Sequence, residues 1–162
     1  MQQKISPFLW FDDRAEEAMN FYVDVFNGSP HKSADSKVVH ISRYEKGMQA
    51  PGAAELEGKV LLGVFELDGQ TFRALNGGPM YKFNESISMY VECEDQAEID
   101  YFWDKLTSDG GEPIQCGWLK DKYGLRWQID PKNMEELTNT TAAFNAMLKM
   151  TKIIIKDLQN AK

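Results

Sequence analysis

ISPFLWFDDRAEEAMNFYVDVFNG at residues 5–28 and ISMYVECEDQAEIDYFWDKLTSDG at residues 87–110 decide the fold, because the second repeats the pattern of the first 82 positions later. Ser6 falls on Ser88, Phe8 on Tyr90, Asp13 on Asp95, Ala15 on Ala97, Glu16 on Glu98 and Gly28 on Gly110. Each copy opens on an extended apolar run, Ile5 to Phe11 and Ile87 to Cys93. Each then meets an aspartate suited to helix capping, with a glutamate three residues on, which is how a strand hands over to a helix. Ala18, Phe21, Tyr22 and Val25 share one face of the first expected helix, and Ile99, Phe102, Trp103 and Leu106 one face of the second. Gly28 and Gly110 are expected to stop them.

Beyond each helix the apolar period changes to two. Lys37 to Tyr44 reads as a strand, followed by a polar loop, Glu45 to Lys59, long enough to be mobile or functional. Val60 to Leu67 and Gln70 to Asn76 flank Asp68-Gly69, a two-residue hairpin signal. In the second copy, short strands are expected at Glu112 to Cys116, Gly117 to Asp121 and Leu125 to Asp130, with a turn at Lys122-Tyr123-Gly124. Each half is therefore βαβββ, and the class is α+β. Pro131 ends the sheet; Met134 to Met150 reads as a helical tail and Ile153 to Ile155 as extended. The expected organisation is one domain over 1–162, with a first module at 4–84, a second at 85–131 and a tail at 132–162.

Composition narrows the function classes. The chain has 162 residues, 43% of them hydrophobic, enough to bury a real core. With 25 acidic against 18 basic residues its formal charge is -7, which repels nucleic-acid backbones and anionic lipid heads alike. Neither nucleic acid nor membrane is an expected partner. The apolar start is cut at once by Asp12 and Asp13 and fits neither a signal peptide nor a span, so a cytoplasmic protein is expected. Cys93 and Cys116 are too few for a disulfide framework and carry no zinc spacing; both are read as reduced thiols.

The runs Pro7 to Asp13 and on to Phe21-Tyr22, Leu75 to Pro79, Cys116 to Gly124 and Trp127 to Ile129 resemble the PhnB-like family, often labelled 3-demethylubiquinone-9 3-methyltransferase-like. The likeness runs nearly the whole chain. It implies the vicinal-oxygen-chelate fold of the glyoxalase, bleomycin-resistance and dioxygenase superfamily, in which two βαβββ modules form a curved mixed sheet around a cavity; here a C-terminal helical tail is added. It also implies a homodimer, for which the apolar tail residues Phe144, Met147, Met150 and Ile153 to Ile155 offer surface. The methyltransferase label finds no support in the residues. Gly77-Gly78 follows an expected strand but leads into Pro79 and no helix, so it reads as a turn linking the modules.

In metal-dependent members of that superfamily, ligands come from the first and last strands of each module. Carried over by position, the first-strand sites are Ser6 and Ser88 and the last-strand site is Gln128, none of them a credible ligand for a divalent ion. His31 and His40 form no ligand pattern. No metal and no cofactor are expected.

Alternation along the strands then sets Ser6, Phe8 and Trp10 on one face, and Ser88, Tyr90 and Glu92 likewise, joined by Arg126 and Gln128. These aromatic and polar groups suit a small aromatic or apolar molecule, with Arg126 able to grip a carboxylate or phosphate. Arg126 near Asp130 also fits a plain surface ion pair. Glu92 as a base and Cys116 as a nucleophile are the two weak catalytic candidates. The expected function is metal-free binding of a small molecule; the alternative is an enzyme of the same fold that transfers a proton with groups of the cavity.

Overall fold

The structure is a computed structural model and describes residues 4–161. Its residues gather into two units, one drawn from residues 4–28 and Lys32–Lys82, the other from Ser29–His31 and residues 83–161.

The first unit holds β1 (Phe8–Phe11), α1 (Ala15–Asn27), β2 (Lys37–Arg43), β3 (Val60–Leu67) and β4 (Gln70–Asn76). The sheet order is β1-β4-β3-β2, with β1 parallel to β4 and the other pairs antiparallel. Period-two alternation works as expected: Leu9 and Phe11 on β1, Phe72 and Ala74 on β4 and Phe65 and Leu67 on β3 are buried. They meet the apolar stripe of α1, where Ala15, Ala18, Met19, Tyr22, Val25 and Phe26 are buried. Met19 packs where a β-carbon on Gly63 would stand, so this strand glycine lets the helix approach. The Asp68-Gly69 hairpin has φ of 45° and 83° at its two central residues, as a turn of this twist requires.

Two expectations fail here. Asp13 does not cap α1; the first helical N–H, that of Ala15, donates to Asn76 Oδ1 at 2.8 Å, and Asp13 pairs instead with Lys59. Phe21 is only half-buried, because the helix is rotated to put Met19 and Phe26 inward. The loop 45–59 carries its own small core of Tyr44, Ala53 and Leu56, with the Tyr44 hydroxyl donating to Asn76 O at 2.7 Å.

The second unit holds β5 (Met89–Cys93), α2 (Gln96–Leu106), β6 (Glu112–Pro113), β7 (Trp118–Lys120) and β8 (Arg126–Pro131), in the sheet order β5-β8-β7-β6. Here the capping expectation fits. Asp95 accepts from Glu98 N at 3.0 Å, while the Glu98 carboxylate reaches back to Glu94 N at 2.8 Å and takes the Ser29 hydroxyl. The helix ends at Leu106, four residues before Gly110, which closes a short 3-10 turn at Ser108–Gly110. Ile99, Phe102, Trp103 and Leu106 are buried, as are Trp127 and Ile129 of β8.

The strand expected over Glu112 to Cys116 stops at Pro113, which has no N–H to donate. Cys116 and Gly117 then take φ of 57° and 80°, and their N–H groups go to Met150 O and Thr151 O, both at 2.9 Å. The tail is thus tied to the corner that leads into β7. Buried Asp121 organises the next turn by accepting from Tyr123 N, Leu125 N and the Trp127 indole.

The tail itself is not one helix. It forms α3 (Met134–Leu137), α4 (Thr141–Met147) and α5 (Ile155–Asn160). Thr138 turns its hydroxyl back to Met134 O at 2.8 Å and Thr140 caps Ala143 N at 3.1 Å, so two threonines end one helix and begin the next. Only Ile153 and Ile154 of the expected extended run are non-helical; Ile153 and Leu158 are buried.

Candidate functional site

On β1 the side chains that do not face α1 are Phe8, half exposed, and Trp10, half-buried; Ser6 precedes the strand and is half-buried. Register sets Phe8 beside Arg73 and Trp10 beside Leu75. Trp10 is held firmly. Its indole donates to Gly78 O at 2.9 Å, Tyr81 meets it edge-on at 5.0 Å, and its ring fills the space a β-carbon on Gly77 would need. The Gly77-Gly78 pair therefore serves the tryptophan. Arg73, exposed on the open face, was not singled out from the sequence, where it reads as an ordinary mid-strand polar residue.

On the second sheet, Gln128 is central. Its side-chain amide donates to Ser88 Oγ at 2.6 Å, and register places Tyr90 on one side of it and Trp118 on the other. Arg126 lies two residues away on the same face of β8, mostly covered, paired with Glu85 and bonded to Gly124 O. Its Nε is buried without a hydrogen-bond partner. The surface pair Arg126–Asp130 considered from the sequence does not form, because Asp130 is buried and Glu85 takes the guanidinium.

Asp130 is the residue that sequence reasoning missed. It shares the face of Arg126 and Gln128 by alternation, yet it is only 5% exposed, closed in by Gly117 and Ile153. A β-carbon on Gly117 would overlap its Oδ1, which has no hydrogen-bond partner. Tyr90, opposite Gln128 on β5, is the diagonal neighbour of Asp130 on the same face. Burial pushes Asp130 up to about 6, against the lowering effect of Tyr90. Tyr90, half exposed, is pushed up to about 12, first by burial and then by the charge of Asp130, with Glu92 and Glu135 adding to it.

Glu92 is exposed on β5. Cys116 is half-buried at the left-handed corner, and Cys93 is a buried thiol whose ionisation burial strongly disfavours. His31 pairs with Asp95 at 3.1 Å, and His40 is exposed on β2. The structure thus brings Ser88, Tyr90, Arg126 and Gln128 together on one sheet face, and Phe8 and Trp10 on the open face of the other unit's sheet. Two clefts lie elsewhere: one of about 550 Å³ lined by Asp13, Glu16, Arg43 and Lys59 among others, and one of about 330 Å³ in the tail beside Leu137, Ala143 and Leu158. None of the expected site residues lines either.

The residues do not fit a divalent ion. The positions corresponding to metal ligands offer two hydroxyls and an amide, all neutral, and Gln128 spends an amide hydrogen on Ser88. Among the described residues no group of three or more His, Cys, Asp or Glu is placed to hold a metal.

Residues 3–130 match the model of the family described as 3-demethylubiquinone-9 3-methyltransferase. Among solved structures, the PhnB protein from Bacillus cereus is 37% identical, covering 78% of this chain and 97% of its own, with a TM-score of 0.63. Protein PA1353 from Pseudomonas aeruginosa is 16% identical over 80% of this chain and 98% of its own, with a TM-score of 0.61. The fosfomycin resistance protein FosX from Listeria monocytogenes, solved with Mn(II) and sulfate, is 13% identical over 86% and 97%, with a TM-score of 0.51, and so speaks to the fold alone. No curated protein matches the chain. Paired βαβββ modules with this strand order are the vicinal-oxygen-chelate fold, and the chain belongs to the PhnB-like, 3-demethylubiquinone-9 3-methyltransferase family within it.

Proposed function

We propose that this protein binds a small molecule carrying an acidic group and an aromatic or apolar body, without a metal ion, on the open face of the second sheet. The carrying observation is Arg126: a mostly covered guanidinium on a face shared with Gln128, Ser88, Tyr90 and Trp118, whose charge is met by Glu85 from an exposed turn. Glu85 itself is exposed, so a ligand carboxylate can compete with it for the guanidinium. The aromatic neighbours supply apolar contact and the amide and hydroxyl supply direction. Ser6, Phe8 and Trp10 form a second surface of the same kind on the first unit.

The family description names a methyl transfer, but among the described residues no glycine-rich turn joins a strand to a helix N-terminus to receive a nucleotide-like cofactor, and Gly77-Gly78 is taken up by Trp10. We read the protein as a binding module rather than a transferase. It is proposed to be cytoplasmic; no helix among the described residues is long and apolar enough to cross a membrane. A homodimer is proposed as well, with Phe144 and Leu148, both about half exposed on the tail, as apolar surface for the contact.

The test is calorimetric titration with benzoate and with benzamide. Arg126→Leu is expected to weaken benzoate at least tenfold, the order of a charge-assisted bidentate bond, and to leave benzamide nearly unchanged. Equal weakening of both, or no benzoate binding by the unaltered protein, would refute the assignment.

A further inference from the structure

The start of α1 takes its cap from a distant strand, and this shapes a cleft. Arg14 at the cap position offers no side-chain acceptor, and Asn76 at the end of β4 supplies one instead, taking Ala15 N at 2.8 Å. Asn76 O accepts in turn from the Tyr44 hydroxyl at 2.7 Å. Tyr44 N donates to Lys59 O at 3.0 Å and Gly58 N to Tyr44 O at 2.9 Å, which closes the loop 45–59 at its neck. Between this neck and the first two turns of α1 lies the cleft of about 550 Å³. None of its lining residues belongs to the face proposed above.

Six charged groups line it, three of each sign, so the wall carries no net charge. Arg43 reaches from the neck to Glu16 with two nitrogens, at 2.8 and 2.7 Å, Lys59 reaches to Asp13, and Arg14 pairs with Glu17 along the helix. All six side chains are between 43% and 50% exposed. Pairs open to solvent on both sides contribute little, so each can be exchanged for contacts with a charged ligand. Asn76 differs from them. It is 1% exposed, its Oδ1 is committed to α1, and no described residue accepts from its amide nitrogen. Because Asn76 is part of the cleft lining, its N–H₂ is a buried donor that an acceptor in the cleft would satisfy.

We propose that this cleft binds a small zwitterion, its carboxylate on the Asn76 amide and the Lys59 and Arg43 cations, its ammonium on Asp13 and Glu16. A lone anion that draws the cations to itself leaves the carboxylates of the wall facing it, and a lone cation leaves the basic groups. A molecule carrying both signs replaces each broken pair with a new one. The formal charge of -7 on the chain also disfavours the approach of a plain acid and leaves a neutral molecule unaffected. The volume suits a short molecule of this kind. This site and the acid-binding face of the second sheet stand independently of each other.

The experiment is a nuclear magnetic resonance titration of labelled protein at low salt with γ-aminobutyrate, butyrate and butylamine, which carry both charges or one. Saturable shifts of the Asn76 side-chain amide and of the Glu16 and Lys59 backbone are expected with γ-aminobutyrate, at an affinity about tenfold above that of butyrate or butylamine. Asn76→Asp keeps an oxygen for Ala15 N but sets an anion where the donor stood, and should weaken γ-aminobutyrate about tenfold. Lys59→Gln, a change of an exposed side chain, should weaken γ-aminobutyrate and butyrate and leave butylamine no weaker; it decides the matter where Asn76→Asp does not fold. Absence of saturable shifts in the cleft, an affinity for γ-aminobutyrate no higher than for butyrate, or undiminished affinity in Lys59→Gln would overturn the zwitterion site.

Discussion

Replacing Asp130 with asparagine removes a burden on the fold. An aspartate titrates near 3.9 in an unfolded chain, whereas burial holds Asp130 at about 6 in the folded one. Between those values the folded chain carries the extra proton, so the stabilising share of neutral Asp130 is complete below about pH 4 and is lost as pH rises through about 6. At neutral pH the ionised, half-satisfied carboxylate therefore costs about 3 kcal/mol as an upper bound, at about 1.4 kcal/mol per pH unit. Solvent reaching it on the Tyr90 side reduces this to about 2 kcal/mol. Asparagine keeps the shape but buries an amide N–H₂, which returns about 1 kcal/mol. Asp130→Asn is thus expected to be more stable than the parent by about 1 kcal/mol near pH 7. Below about pH 4 the difference should reverse, leaving Asp130→Asn less stable by about 1 kcal/mol. Urea unfolding followed by tryptophan fluorescence across this range measures both. A difference between the two proteins that does not change with pH would refute the buried-carboxylate reasoning.

Four further outcomes are expected of the same protein. Asp121→Ala leaves two backbone N–H groups and the Trp127 indole without their acceptor and should cost about 3 kcal/mol in urea unfolding; a cost below about 1 kcal/mol would contradict the turn described. Gly117→Ala adds a β-carbon at a positive φ where Asp130 Oδ1 stands, so it should destabilise by about 3 kcal/mol and lose most of that cost in the double variant with Asp130→Gly. Elemental analysis of purified protein should show no stoichiometric divalent metal, and light scattering at micromolar concentration should give a dimer mass; bound zinc, nickel or iron contradicts the first expectation and a monomer the second.

The repeat made the architecture legible because strand alternation and helix periodicity are local signals. Val60–Leu67 and Gln70–Asn76 lie where the pattern placed them, and Trp10 and Gln128 fall on the faces that alternation assigns. What failed lay outside the apolar pattern. The cap of α1 comes from Asn76, 61 residues away, so the nearby Asp13 misled. The tail broke because Thr138 and Thr140 offered side-chain bonds that compete with a continuous helix, a choice the apolar spacing of Phe144 and Met147 does not reveal. Asp130 was visible on the right face but read as a surface partner of Arg126. Its burial depends on Ile153 and Gly117 closing over it, and only the pairing of Cys116 and Gly117 with Met150 and Thr151 brings the tail there.

The central claim, metal-free binding of an acid on the open face of the second sheet, is tested most directly by nuclear magnetic resonance titration of labelled protein with benzoate in the presence of chelator. Saturable shifts centred on Ser88, Tyr90, Arg126 and the Gln128 side-chain amide are predicted. No shifts, or shifts confined to the cleft beside Asp13, Arg43 and Lys59, would contradict it.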